Sequence, residues 1–416
     1  MIELKSMDKT MLNVDEAFKE IISNVSVINE SEKTDIFNCC GRILFDDLIA
    51  GINIPSQNNS AMDGYAVISD DIVNATPDNP ACLKIIDEIQ AGHELNNEKL
   101  TKGHAIRIMT GAPIPDGADC VVQFEDTEEI DDIVNIYKKQ AKHENIRFAG
   151  EDIKKGDIIL RRGTRIDSAE SGLISSLNIK EFLVYKRPKA GIISTGDELA
   201  EPGEEYTGKT INSNAYMLYS EIKKYGGDPC YKGIVSDNYE NVKKIFLELM
   251  DNDIIISSGG VSMGRYDFIP DVLKDIGIDI KVHKVLMKPG KPVIFGTYGS
   301  KLFFGLPGNP VSVMVSFMQF VRPALLKMTG NSKILKPVIK AQIKEDIVKK
   351  KGRKNFIRGI FTIENGMPVV QTTGPQGSGI LTSMSAANCL IVLAEEVEVI
   401  KNGEYVDIQL TGHIEI

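Results

Sequence analysis

Asp253-Ile254-Ile255-Ile256-Ser257, followed at once by Ser258-Gly259-Gly260-Val261-Ser262-Met263-Gly264, decides how this chain is read. The first part is an unbroken apolar run of strand length. A strand with one face in water alternates apolar and polar residues, so an unbroken run implies cover on both faces, as in a parallel sheet packed between helices. The second part is rich in glycine, which lets backbone approach a ligand closely. Working outward, the same pattern repeats. Residues 190–194 precede a helical pattern near 214–225, residues 230–235 precede one near 238–250, and the quoted strand precedes one near 268–275. Strands near 280–286, 292–296 and 302–305 follow, then a helix over about 310–328. Strands alternating with helices predict βαβ units, and so a central doubly wound α/β domain with a mostly parallel sheet.

Open α/β sheets bind ligands beyond the carboxyl ends of their strands. Three loops there carry chemistry. They are Ser194-Thr195-Gly196-Asp197-Glu198, the quoted loop continuing to Asp267, and Gly305-Leu306-Pro307-Gly308-Asn309-Pro310-Val311-Ser312. In the last, Asn309 is placed to cap a helix and Pro310 to begin it, which would leave free amides where anions bind. One such loop is ordinary turn chemistry; three on one edge predict a ligand site. Glu198 and Asp267 beside it read as helix caps or as ligands for Mg²⁺ carried by a phosphorylated molecule. Mg²⁺ takes one or two carboxylates together with phosphate oxygens.

The charge distribution points the same way. Lys and Arg number 48 against 58 Asp and Glu, a net charge of −10 that argues against a general nucleic-acid binder. Trp is absent, which removes the best stacking platform for bases. Yet the 65 residues from Ile280 to Lys344 hold no Asp or Glu and 11 Lys or Arg, beginning with Lys281, Lys284, Lys288 and Lys291. A solvated basic face would account for this; so would a local anion site, where a nearby carboxylate would repel the ligand.

At 416 residues the chain has length for three or four domains. Residues 14–28 show helical spacing, as do 167–178 with Asp167 or Ser168 as cap. Between about 55 and 138, short apolar runs separated by Gly, Pro and Asp read as a small β-rich domain. After Gly330 the β pattern returns and predicts a C-terminal β barrel. The boundaries expected are a discontinuous helical and extended linker domain at 1–54 and 140–180, then domains at 55–139, 181–330 and 331–416. The six cysteines form no CxxC pair, and the start of the chain lacks the apolar core of a signal peptide. No apolar run reaches 18 residues. These observations give the expectation of a cytoplasmic protein with reduced thiols and no membrane span.

Two motifs mislead. Gly203-Glu204-Glu205-Tyr206-Thr207-Gly208-Lys209-Thr210 fits the P-loop pattern, but its strand ends eight residues earlier and its three glutamates, counting Glu201, would repel phosphate. Gly260-Val261-Ser262-Met263-Gly264 fits a nucleophile elbow, but an elbow turns directly into its helix, and Arg265 and Tyr266 intervene here.

The loops together with Ser60-Ala61-Met62-Asp63-Gly64-Tyr65-Ala66, Arg107-Ile108-Met109-Thr110-Gly111-Ala112, Gly150-Glu151-Asp152 and Lys288-Pro289-Gly290-Lys291-Pro292 resemble the molybdopterin molybdenumtransferases, relatives of the E domain of gephyrin. The match runs in order over nearly the whole chain. The resemblance implies a homodimer whose cleft lies between the central domain of one subunit and the β-rich domain of the other. It implies Mg²⁺-dependent insertion of molybdate into adenylylated molybdopterin with release of AMP. It assigns catalysis to Glu198, Asp267, Lys284 and Lys288, and metal binding to Glu198, Asp237 and Asp267. For substrate it implies Asn58, Asp63, Thr110, Arg147, Thr195, Gly196, Asp237, Ser258, Gly259, Gly260, Ser262, Lys291, Pro307, Gly308, Asn309, Pro310 and Ser312. Arg353, Arg358, Ser378 and Ser383 are weaker candidates, and the two arginines serve structure equally well. Many family members have Asp where this chain has Asn58, which holds a cation less well. The adenylyltransferase of the preceding step is the partner implied. It is also a rival reading, disfavoured because it resembles the central domain alone. A non-catalytic scaffold is the other rival; it requires Glu198, Asp267 and Lys288 to be dispensable.

Overall fold

The computed structural model describes residues 11–92, 99–205, 208–261 and 268–412. The chain divides into two compact units. One runs to Phe45, takes Gly163–Asp167 and resumes at Glu181; the other is Asp46–Arg162 with Ser168–Lys180.

The first unit contains a six-stranded sheet: β1 (Lys189–Thr195), β2 (Asp228–Val235), β3 (Ile254–Ser258), β4 (Asp279–His283), β5 (Ile294–Tyr298) and β6 (Lys301–Leu306). Their order is β2-β1-β3-β6-β5-β4, parallel across the first four and antiparallel at β5 and β4. Successive residues feed two separate cores. Ile192, Ile254, Ile256 and Phe304 pack with Leu218, Ile222, Val311 and Phe320 on one face. Ile193, Ile255 and Phe303 pack with Val242, Phe246 and Leu273 on the other. The unbroken apolar run of β3 is therefore covered on both sides, and each buried Ile or Phe contributes about 2 kcal/mol.

Some elements stop short of the sequence patterns. The first helix spans Val14–Ser23, opened by a capping box between Asn13 and Glu16. It ends where Asn24 turns its amide back onto the Glu20 carbonyl, although Val25 stays buried. β4 ends at His283 because Lys284 takes φ +70° and leaves the ladder. The helix over 310–328 contains a π turn at Phe317–Val321 just before Pro323. Proline lacks an N–H and crowds the carbonyl four residues back, and the wider turn absorbs both defects. This helix is long and apolar enough to cross a membrane, but 83% of it is buried inside the protein, as in a core helix.

The C-terminal strands close a barrel. Lys354–Glu364 pairs with Met367–Thr372 and also with Cys389–Leu393; Val338–Ile343 and Tyr405–Leu410 complete the ring of five. The short strand Met287–Lys288 adds in parallel to Lys354–Asn355. In the second unit, Gly64–Val67, Ala81–Ile89, His104–Ile108, Cys120–Gln123, Thr127–Ile130 and Ile133–Ile136 form one sheet. Thr127–Ile130 has no apolar run to reveal it: three of its four residues are exposed. The helix near 167–178 occupies Ser168–Ser176.

Candidate active site

β1, β3 and β6 end in register, Ser194 opposite Ser258 and Ser258 opposite Leu306. Chain order reverses between β1 and β3, with β2 on one side and β3 on the other, so the loops part there and leave a crevice. It is a cleft of about 310 Å³ lined by Thr195, Gly196, Glu198, Asp237, Ser258, Gly259, Gly260, Pro307, Gly308 and Asn309. A further space of about 550 Å³ continues from Glu198 and Asn309 past Pro310 to Gly379 and Leu381.

Two glycines shape the floor. A β-carbon on Gly196, at φ +145°, would come within 2.6–2.7 Å of both Glu198 carboxylate oxygens. One on Gly259, at φ +94°, would stand 2.6 Å from the Thr195 carbonyl oxygen. Bare backbone at these positions lets the acid and the loop close in. Thr195 Oγ1 is buried with no partner among the described residues, which suits a hydroxyl waiting for a ligand.

The helix start differs from expectation. Asn309 holds the N-cap position and Pro310 begins the helix, but the Asn309 side chain makes no capping bond. The Val311 amide, expected to be free, donates to the Ser378 carbonyl at 3.1 Å. Ser312 is buried.

The structure sorts the basic block. Lys281, Lys340 and Lys344 are ion-paired. Lys301, Arg322, Lys327 and Lys336 donate to backbone carbonyls. Among the described residues Lys333 does neither, and nor do Lys284, Lys288 and Lys291, the last two of them exposed. Lys284, Lys288 and Lys291 ride on one loop, closed by Lys284 N to Val293 O and Val285 N to Lys291 O. Lys288 lines a second cavity with Pro289, Lys349 and Arg358, and with the carboxylates Glu345 and Asp346.

Arg358 takes the structural of its two sequence readings. It is 1% exposed. Its guanidinium donates to Ser383 Oγ and to the carbonyls of Pro375, Gln376 and Gly377, clamping that loop. Ser383 is therefore engaged, while Ser378 contributes its carbonyl to the helix start. Arg353 gives its carbonyl to Lys349 and Asn355.

The second unit gathers its own candidates. Asn59 stands opposite Arg147 in a strand pair, Asn58 Oδ1 accepts from the Ala149 amide at 2.9 Å, and the Thr110 amide donates to Asp63 at 2.6 Å. That bond from Thr110 holds the Asp63 carboxyl below the usual carboxylate range. Ser262 and Asp267 lie outside the described residues.

Three family models cover this architecture in order. They describe the MoeA N-terminal region (domain I and II) over residues 12–178, a probable molybdopterin binding domain over 191–327, and the MoeA C-terminal region (domain IV) over 340–411. The molybdopterin molybdenumtransferase of Haemophilus influenzae is 36% identical over 409 residues, 97% of this chain and all of the relative. The chain belongs to the molybdopterin molybdenumtransferase family. The enzyme of the same name from Staphylococcus epidermidis is 35% identical across 97% of this chain and 96% of its own length. The crystal structure of the molybdopterin biosynthesis moeA protein of Pyrococcus horikoshii superposes with a TM-score of 0.84 at 33% identity, covering 96% of this chain and all of that one.

For a molybdopterin molybdenumtransferase, the cleft offers two carboxylates, Glu198 and Asp237. Among the described residues no three acidic, His or Cys side chains converge as a metal site. Two carboxylates fit Mg²⁺ that arrives with phosphate oxygens, and they do not make a closed protein cage. Sequence reading missed Asn214, which lines the cleft and fixes the Gly308 carbonyl with its amide at 2.7 Å. Nothing local marks it, since its partner is 94 residues away.

Proposed function

We propose that this enzyme of molybdenum cofactor biosynthesis inserts molybdate into adenylylated molybdopterin and releases AMP. The observation that carries the reading is a cleft at the strand ends that holds two carboxylates and is lined also by Pro292, the neighbour of Lys291 on a loop whose lysines make no ion pair among the described residues. The phosphates of the pterin nucleotide would lie over Gly259, Gly260 and Gly308. Lys284, Lys288 and Lys291, compact point charges, would draw molybdate, an anion. An oxygen of molybdate attacking the pterin-side phosphorus would break the phosphoanhydride and expel AMP, while two Mo–S bonds to the dithiol form and the thiol protons leave with a second molybdate oxygen as water; fixed cations favour the charge that develops. Glu198 and Asp237 would hold Mg²⁺, with Asp267 as the third family carboxylate; bound there, the ion neutralises phosphate charge. We further propose that the enzyme acts as a cytoplasmic homodimer and takes its substrate from the adenylyltransferase of the preceding step.

The test mixes purified protein, adenylylated molybdopterin, molybdate and Mg²⁺ and measures AMP. Release above background that vanishes without Mg²⁺ is expected. No release despite confirmed substrate binding refutes the reading. A parallel reaction with tungstate reports metal preference.

A further inference from the structure

A chain of side chains leads from outside the cleft into its floor. Glu201 accepts from Tyr216 Oη at 2.9 Å on one oxygen and from Tyr231 Oη at 2.5 Å on the other. A carboxylate has no proton to give, so both phenols donate. Burial and Glu201 hold the Tyr231 phenol above its ordinary range, so it keeps its proton. The Tyr231 oxygen is left to accept, and Asn212 Nδ2 donates to it at 2.7 Å. That fixes the Asn212 amide, which is 2% exposed. Its Oδ1 then accepts from Ser194 Oγ at 3.1 Å and from the Ala215 amide at 3.4 Å. Ser194 has one hydroxyl proton, and Asn212 or the Tyr231 oxygen beside it takes that proton. In the 3.2 Å contact between Ser194 Oγ and Ser258 Oγ, Ser258 must therefore be the donor.

Both walls of the cleft hang on this chain. Ser194 is the last residue but one of β1 and Ser258 the last of β3, where the glycine loops depart. Asn212 and Ala215 bracket Asn214, the residue that holds Gly308. Tyr231 and Glu201 themselves line neither the cleft nor its continuation.

We propose that Tyr231 and Glu201 are positioning residues for this cleft, acting through Asn212. They hold the Asn212–Asn214 turn against the Gly308 loop and keep the Ser258 proton turned toward Ser194. Ser258 consequently offers lone pairs, suited to a ligand N–H, and the anionic parts of the substrate fall to other donors. The role in turnover rests on the function proposed above; the role in ordering the walls does not.

The experiment compares Tyr231→Phe, Glu201→Ala, Glu201→Gln and Tyr216→Phe in the full chain. Hydrogen–deuterium exchange is read over residues 212–215 and 258–261, and KM and kcat are read from AMP release. Tyr231→Phe and Glu201→Ala should speed exchange in both segments and raise KM for the pterin nucleotide roughly five- to tenfold, with kcat within about twofold. Glu201→Gln keeps an acceptor for Tyr231 and should restore both readouts. Tyr216→Phe removes only a side branch and should match wild type. Wild-type exchange in Tyr231→Phe, or damage by Glu201→Gln equal to that of Glu201→Ala, would overturn the proposal. So would a Tyr216→Phe variant indistinguishable from Tyr231→Phe. A wild-type protein that binds substrate without releasing AMP would defeat the proposed function, while the exchange data would still decide this one. Glu201 is partly exposed, so its two variants decide the matter if Tyr231→Phe fails to fold.

Discussion

The Glu198 carboxylate lies against Gly196, 2.6 Å from where a β-carbon would stand. The acid of the cleft is seated on bare backbone, and Gly196 also holds φ +145°, a region open to little but glycine. Gly196→Ala should therefore displace Glu198 and strain the turn together. The expected outcome is a fall in AMP-release kcat/KM of about 10- to 100-fold, comparable to Glu198→Gln, with about 1–3 kcal/mol lost in urea unfolding. Full activity in Gly196→Ala would mean that the seat does not matter.

Lys284 separates charge from conformation. Its φ of +70° costs a non-glycine residue about 1–2 kcal/mol. Glycine at that position relieves the strain and gives back about 0.5–1 kcal/mol in unfolded-chain entropy. Lys284→Gly should hold or raise the melting temperature while weakening molybdate use. Steady-state kinetics at varied molybdate, beside a thermal melt, show whether stability and activity move apart. If they fall together, the ammonium is not the point.

Arg358 should behave as a structural residue. Removing a buried guanidinium leaves Ser383 Oγ and three carbonyls without their donor, at a cost of at least about 2 kcal/mol. Chemical denaturation of Arg358→Met should show that loss without any ligand present. A variant as stable as wild type but unable to bind molybdate would restore the ligand role.

Lys336 predicts a pH dependence. Burial, aided by Arg322, lowers its ammonium to about 8 from an ordinary 10.5, while its Nζ donates to the Leu410 carbonyl at 2.7 Å. Between pH 8 and 10.5 the unfolded chain binds the proton that the folded chain has lost, so this group's contribution to stability rises with pH there. Cys120 and Cys389 work oppositely: burial raises both thiols to about 12, and their contribution falls above their ordinary value of 9. The difference between wild type and Lys336→Met isolates the lysine. Lys336→Met should be the more stable at pH 7, with its advantage shrinking toward pH 10. An advantage that stays flat over that range would contradict the assignment.

Asn58→Asp installs the residue that the resemblance gives to many family members at that position. Aspartate can accept the Ala149 amide as asparagine does, so the melting temperature should hold. Activity should stay similar or rise, because an acidic group holds a cation better. A large loss in the AMP assay would show that this enzyme has adapted to the neutral side chain.

The architecture was legible because hydrophobic pattern is local. Ile254-Ile255-Ile256 announced a strand covered on both faces, and alternating cores took up its successive residues. The glycine loops, the acid-free lysine block and the family motifs could be read the same way, each within a few residues. Hydrogen-bond partners are not local, and there only the tertiary structure could decide. Asn214 gains its place from Gly308, 94 residues on; Asn212 and Tyr231 gain theirs from each other and from Glu201. Arg358 reads equally as an anion ligand or as a structural residue until the Pro375–Gly377 carbonyls close around it. A polar side chain makes chemistry only with what the fold brings within about 3 Å, and no spacing in the sequence encodes that distance.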